Sequence, residues 1–164
     1  MPIIKTIQGD LIEAFINNEV RHMAHGVNCF GVMGAGIART VQKEIPDAFR
    51  AYQAVCDSDQ SDGKSLLGGI CFGVGPEQGN GLCFNLFTQH YPGPDARMEC
   101  IEKAFSSLNE KFGHGAQEVV SARLEGTLGI PMIGCGIGGL VWSEVEELIN
   151  RVTPNIQIVL YVLK

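Results

Sequence analysis

His25-Gly-Val-Asn-Cys-Phe-Gly-Val-Met-Gly-Ala-Gly-Ile-Ala38 decides how this chain is read. The apolar run His22 to Val27 in front of it reads as a buried strand. A loop with Gly31, Gly34 and Gly36 follows. Ile37, Val41 and Ile45 then recur on one face of a helix. Strand, glycine loop and helix start together present backbone N–H groups to an anion. Glycine lets the backbone approach closely and adopt positive φ.

The plan occurs twice. Ile130 to Ile133 reads as strand, Gly134-Cys-Gly-Ile-Gly-Gly139 as loop, and a helix opens near Trp142. Two such loops in one domain suit the two phosphates of a pyrophosphate. No Lys or Arg lies between Arg21 and Arg39, or between Arg123 and Arg151. An anion held here is therefore met by amides and helix dipoles rather than by basic side chains. The plainer alternative is that the glycines serve tight turns only.

Bulk properties narrow the classes. The 164 residues suit one domain, 1–164, with a sizeable core. Hydrophobic residues make up 45% and charged residues 18%, which marks a globular chain. No apolar run approaches a membrane span, and Met-Pro-Ile-Ile-Lys lacks a secretory layout. The expectation is a soluble cytoplasmic protein without a membrane partner. A net charge of −6 argues against general nucleic-acid binding. Six cysteines, at 29, 56, 71, 83, 100 and 135, form no C-x-x-C pair and share no ligand spacing with the histidines. They read as reduced core residues, with neither metal nor cofactor expected.

Along the chain, strands are expected at Ile3 to Ile7, His22 to Val27, Gly69 to Val74, Leu82 to Thr88, Thr127 to Ile133 and Ile156 to Leu163. Val119 and Val120 suggest a further short one. Asp10 caps a helix through Asn17. Pro46 ends one helix and starts another. Ala96 to Phe112 is amphipathic, with Met98, Ile101, Phe105, Leu108 and Phe112 on one side. Ser143-Glu-Val-Glu146 has the form of a capping box for the last helix. Alternation of strands and helices predicts an α/β fold, a mixed and mostly parallel sheet between helical layers.

Candidates for chemistry are few. Gly134-Cys-Gly-Ile-Gly-Gly139 matches a dinucleotide fingerprint, but the next strand carries no acid and ends the sequence, which removes the Rossmann reading. There is no Walker loop. His25 stands at the mouth of the first loop, either as a structural strand histidine or beside a phosphate. Asp95, on the stiffened loop Thr88-Gln-His-Tyr-Pro-Gly-Pro-Asp95, either caps a helix or supplies a carboxylate. Together they suit a base and an acid for phosphate ester hydrolysis. Cys29 lacks the C-x5-R cradle of a phosphatase nucleophile.

At these residues the sequence resembles a macro domain, the ADP-ribose-binding module. The carriers are Gly9-Asp10-Leu11, Asn28 to Ala38, Leu86-Phe87-Thr88, Ile133 to Trp142 and Leu160-Tyr161. The Asn28 loop resembles the branch holding ADP-ribose 1''-phosphate phosphatases and terminal ADP-ribose protein glycohydrolases. The resemblance implies a three-layer α/β/α sandwich. It also implies a small-molecule ligand, ADP-ribose or its 1''-phosphate, or an ADP-ribosylated protein. Asp10 and Leu11 would meet adenine near Tyr161, and Asn28 the distal ribose. Met33, Gly34, Ala35, Gly36 and Ile37 would line one side of the diphosphate. Gly134, Cys135, Gly136, Ile137 and Gly138 would line the other, with Thr88 between. His25 and Asp95 would be catalytic.

The departures are informative. The glycohydrolase branch uses a lysine after the Leu-Phe-Thr strand and an aspartate in the second glycine loop; here Gln89, His90 and Gly138 stand instead. The expectation is a phosphatase acting on ADP-ribose 1''-phosphate. The alternatives are a non-catalytic ADP-ribose-binding module and an ADP-ribosyl-glutamate hydrolase.

Overall fold

The computed structural model describes residues 3–59, 62–112 and 124–163. Among the described residues six strands form one sheet: β1 (Ile3–Gln8), β2 (His22–Val27), β3 (Ile70–Val74), β4 (Leu82–Phe87), β5 (Thr127–Ile130) and β6 (Gln157–Val162). The order is β1-β6-β5-β2-β4-β3. Every pairing is parallel except β3 against β4. The antiparallel pair is the hairpin expected from the turn-rich link Gly75 to Gly81.

Helices α1 (Leu11–Ile16), α2 (Gly36–Glu44) and α3 (Pro46–Ser58) cover one face. Helices α4 (Met98–Phe112) and α5 (Trp142–Val152) cover the other. Two cores result. Phe15, Met23, Val41, Tyr52 and Phe87 belong to the first; Phe84, Ile101, Phe105, Leu128, Ile149 and Ile158 belong to the second. Each large apolar side chain so buried contributes roughly 1.5–3 kcal/mol. This is the α/β/α sandwich expected from the alternation.

Local chemistry sets the boundaries. Asp10 caps α1, its Oδ1 accepting from the Glu13 N–H at 3.0 Å. Ile45, fully buried with φ −129°, precedes Pro46 and cannot continue α2, so the chain restarts as α3. Strand β5 ends at Ile130, three residues short of expectation, because Pro131 has no N–H for the ladder. Helix α4 starts at Met98, two residues later than Ala96. The capping box is corrected outright. Val141 occupies the N-cap of α5 without a side-chain bond, and Ser143 lies inside the helix. The strand expected at Val119 and Val120 falls outside the described residues. No described helix is long and apolar enough to cross a membrane.

Strands β1, β6, β5, β2 and β4 run parallel, so their C-terminal ends share one edge of the sheet. Strand β2 pairs with β5. The two glycine loops, a hundred residues apart in sequence, thereby become neighbours. Ligands of open α/β sheets bind at this edge.

Candidate functional site: an amide-lined cleft

The loops at that edge enclose a cleft in two joined parts. The larger, of about 420 Å³, is lined by Asn28, Val32, Gly34, Ala35, Gly36, Ile37 and Ala38 from the first loop. Thr88, Gln89, Pro92 and Gly93 come from the loop after β4, and Pro131 to Cys135, Ile137 and Gly138 from the second glycine loop. The smaller, of about 390 Å³, is lined by Gly9, Asp10, Leu11, Ile12, Thr40, Tyr161, Val162 and Leu163. Gly36, Ile37, Pro131 and Met132 border both. A drug-sized molecule fills a space of this order.

Neither part has a Lys or Arg among its lining residues, and Asp10 is its one charged residue. The positive potential comes from the main chain. Ala35 is the N-cap of α2 and makes no side-chain cap. The first intrahelical bond there is Arg39 N–H to the Ala35 carbonyl, at 3.4 Å. The N–H groups of Gly36, Ile37 and Ala38 therefore have no intrahelical acceptor. Opposite, Gly136–Gly138 form a 3-10 turn, also without a side-chain cap. The Gly138 carbonyl accepts from Ala96 N–H at 3.2 Å, so it is engaged by the chain ahead of α4.

A polar clamp shapes the first loop. Asn28 Oδ1 accepts from Phe30 N–H (2.9 Å) and from the Tyr52 hydroxyl (2.7 Å). Its Nδ2 donates to the Val32 carbonyl at 2.8 Å, and Val32 N–H donates to the Tyr52 oxygen at 3.0 Å. Asn28 thus lines the cleft with its acceptor already spent, which leaves one amide hydrogen for a ligand. Tyr52 is fully buried. From sequence it reads as one more apolar position of α3, because its spacing gives no hint of its hydroxyl's partners.

Most expected site residues converge: Asp10, Leu11, Asn28, Gly34, Ala35, Gly36, Ile37, Thr88, Gly134, Cys135, Ile137, Gly138 and Tyr161 all line the cleft. Four do not. Met33 is buried beneath its loop and Gly136 is exposed on the outer turn.

His25 is not at the cleft mouth. It is fully buried on the face of β2 beneath α3, opposite Asn85 in register. Asn85 Nδ2 donates to the Ala48 carbonyl at 3.0 Å, so its Oδ1 is the acceptor for His25 Nε2–H at 2.7 Å. His25 Nδ1 meets no partner among the described residues. Burial, only partly opposed by the Asn85 bond, lowers its pKa to about 4.

Asp95 neither lines the cleft nor caps α4. Its Oδ2 accepts from Tyr91 N–H (2.9 Å), His90 N–H (3.0 Å) and Arg97 (3.3 Å). The Tyr91 amide above all, then the His90 amide and the Arg97 guanidinium, hold its pKa below the usual carboxylate value. It is an ionised clip closing the loop, with no proton to give at neutral pH. Cys29 is unsuited to attack: burial pushes its thiol up to about 12. Among the described residues no cluster of His, Cys, Asp and Glu could hold a metal ion.

The His25 environment has a measurable consequence. The folded state holds His25 neutral down to about pH 4, whereas the unfolded chain takes up its proton near 6.5. Stability is fully present above the unfolded value and is lost as pH falls toward the folded one. His22, also lowered chiefly by burial, acts in the same direction. Urea unfolding should show a loss of about 2 kcal/mol from His25 alone between about pH 7 and pH 4.5. A flat profile over that interval would refute the buried neutral assignment.

A three-layer sandwich with paired amide loops at the sheet edge and no lining cation defines a class: a domain that binds a phosphate ester through its main chain. The chain belongs to the Macro domain family, whose model matches residues 24–149. It is 30% identical over 158 residues to an uncharacterized 17.5 kDa protein of Enterobacteria phage T4, covering 96% of this chain and 95% of that one. It is 26% identical to an ADP-ribose 1''-phosphate phosphatase of Debaryomyces hansenii, covering 98% and 99%. Against a DNA ADP-ribosyl glycohydrolase of Thermus aquaticus it is 28% identical, over 91% of this chain but 37% of that protein. Among solved structures, the macrodomain of Thermus aquaticus DarG superposes with a TM-score of 0.72 at 27% identity, covering 98% and 97%.

Proposed function

We propose that this domain binds ADP-ribose and hydrolyses ADP-ribose 1''-phosphate to ADP-ribose and phosphate. The carrying observation is the facing pair of amide-rich turns in a cleft without lining cations. Adenine occupies the smaller part, beside Asp10 and Tyr161, where one Asp10 oxygen remains open to an exocyclic amine. The diphosphate lies between Gly34–Ile37 and the Gly136–Gly138 turn. The distal ribose and its phosphate reach toward Asn28, Thr88 and Gln89.

In the hydrolysis, water attacks phosphorus and the bond from phosphorus to the anomeric oxygen breaks. The water's proton ends on the departing sugar or on phosphate. Preorganised amides stabilise the charge that develops. His25 and Asp95 are assigned positioning roles: His25 braces β2 through Asn85, and Asp95 closes the loop that carries Gln89. The relative named as a phosphatase, matched end to end, supports this reading.

A second reading, binding without turnover, is favoured by one observation: the larger part of the cleft holds no titratable side chain except the Cys135 thiol, which burial raises. Removal of ADP-ribose from protein, or from DNA as in the name of other relatives, is disfavoured because Gln89 and His90 follow Thr88, where the glycohydrolase branch uses a lysine. Calorimetry with ADP-ribose, followed by phosphate release from the 1''-phosphate in chelator on the same preparation, separates the readings. Binding with release supports the phosphatase. Binding without release supports the module. Absence of binding refutes both.

A further inference from the structure

Gln89, like Asn28, is a cleft-lining side chain whose hydrogen-bonding direction is fixed by its own loop, but it is the amide nitrogen of Gln89 that is spent. Its Nε2 donates to the Tyr91 carbonyl at 2.7 Å and to the Gly93 carbonyl at 3.0 Å. Both partners are acceptors only, so the terminal atom facing them is the amide nitrogen and its two hydrogens are spent. What remains is Oε1, which lies 3.8 Å from where a Cβ on Gly138 would stand. Gly138 belongs to the second glycine turn, and Gln89 and Gly138 both line the larger part of the cleft. The loop cannot easily reorient: the backbone of Gln89 bridges to Ala96, and Asp95 clips the amides of His90 and Tyr91.

The cleft therefore carries a polarity boundary. Its two glycine turns offer donors and suit the diphosphate, which only accepts. Beside the second turn, in the larger part and not in the smaller, stands a locked carbonyl oxygen, which only accepts and is matched by a donor. On the proposed ligand the donors beyond the diphosphate are the hydroxyls of the distal sugar. We infer that Gln89 Oε1 accepts a hydrogen bond from a distal-sugar hydroxyl and makes the cleft select a diphosphate bearing a sugar over a bare diphosphate. The inference rests on the proposed ligand class and is separable from the question of turnover. It assigns Gln89 a specificity role.

The test is a ligand comparison by calorimetry, with ADP, ADP-ribose, and ADP-ribose analogues lacking one distal hydroxyl at a time. In wild type, one analogue should bind about three- to tenfold more weakly than ADP-ribose, as for one neutral hydrogen bond. In Gln89→Met the preference for ADP-ribose over ADP should shrink by a similar factor, and that same deletion should cost nothing further. Affinity for ADP reports whether the loop still holds the diphosphate. An equal loss for ADP and ADP-ribose in Gln89→Met would show that the side chain only braces its loop and would overturn the inference. So would wild-type affinities indifferent to every distal hydroxyl, a result that needs no variant. Failure of wild type to bind either ADP or ADP-ribose would overturn the ligand reading itself, and this inference with it.

Discussion

Gly36→Glu should lower affinity for ADP-ribose by about 100-fold or more while leaving a folded domain. Gly36 is the first residue of α2 and borders both parts of the cleft. Its φ is +60°, a left-handed value that costs a residue with a side chain roughly 1–3 kcal/mol. A Cβ there would lie 3.5 Å from Ile137 Cδ1, in ordinary contact with the opposite turn and with no closer atom against it. A carboxylate in that position opposes the diphosphate directly. Like charges about 5 Å apart near a protein surface repel by about 3 kcal/mol, which converts to roughly two powers of ten. The carboxylate would also occupy the helix end that otherwise favours the ligand's charge. Calorimetry reads the loss, and far-UV circular dichroism checks the fold. A Gly36→Glu protein that binds like wild type would remove the helix end from the site.

The second large effect lies in the scaffold. Gly73, in β3, faces the start of α3 so closely that an added Cβ would stand 2.3 Å from the Ala48 nitrogen and 2.4 Å from the Asp47 carbonyl carbon. Both are backbone atoms, so no side-chain rotation relieves the overlap. The helix must lift from the strand, opening the core around Ala48 and Tyr52 and pulling on the hydroxyl that clamps the Asn28 loop. Gly73→Val should therefore destabilise by more than the usual overpacking penalty of roughly 1–3 kcal/mol. For a chain of this size that lowers Tm by about 10 °C or more. Thermal unfolding measures it, and a Tm within about 2 °C of wild type would mean that α3 does not rest on the strand backbone. The surviving folded fraction should also bind ligand more weakly, because the same displacement disturbs Tyr52.

Much of this architecture is written locally. Asp10 announces α1 by a short polar side chain ahead of an apolar run, and the observed cap is the one that pattern requires. Pro46 separates α2 from α3 through the restriction on Ile45. The glycine loops are legible because strand, loop and helix lie next to one another in sequence.

What was not legible depends on distant partners. Nothing in the sequence states that β2 pairs with β5, yet that pairing alone brings the loops together. Ser143 to Glu146 fits a capping box, but the helix gained a turn position earlier, at Trp142. Asp95 resembles a cap because it precedes a helix; its partners lie behind it, on a loop that folds back. Closeness to Asn28 along the chain suggests the loop mouth for His25. Strand alternation sets it on the same face as Met23 and Val27, beneath α3, so proximity in sequence gave the wrong surroundings. In sequence Gln89 is legible only as a departure from the lysine pattern. Its meaning depends on two carbonyls of its own loop, which no spacing reveals.

The central claim is that neutral main-chain donors, and no cationic side chain, hold the ligand's diphosphate. A crystal structure of the ADP-ribose complex tests it most directly. The account predicts phosphate oxygens at about 2.7–3.2 Å from backbone nitrogens of the Gly34–Ile37 and Gly136–Gly138 turns. A diphosphate held instead by Lys or Arg side chains, or lying outside the cleft with both turns unengaged, would contradict it.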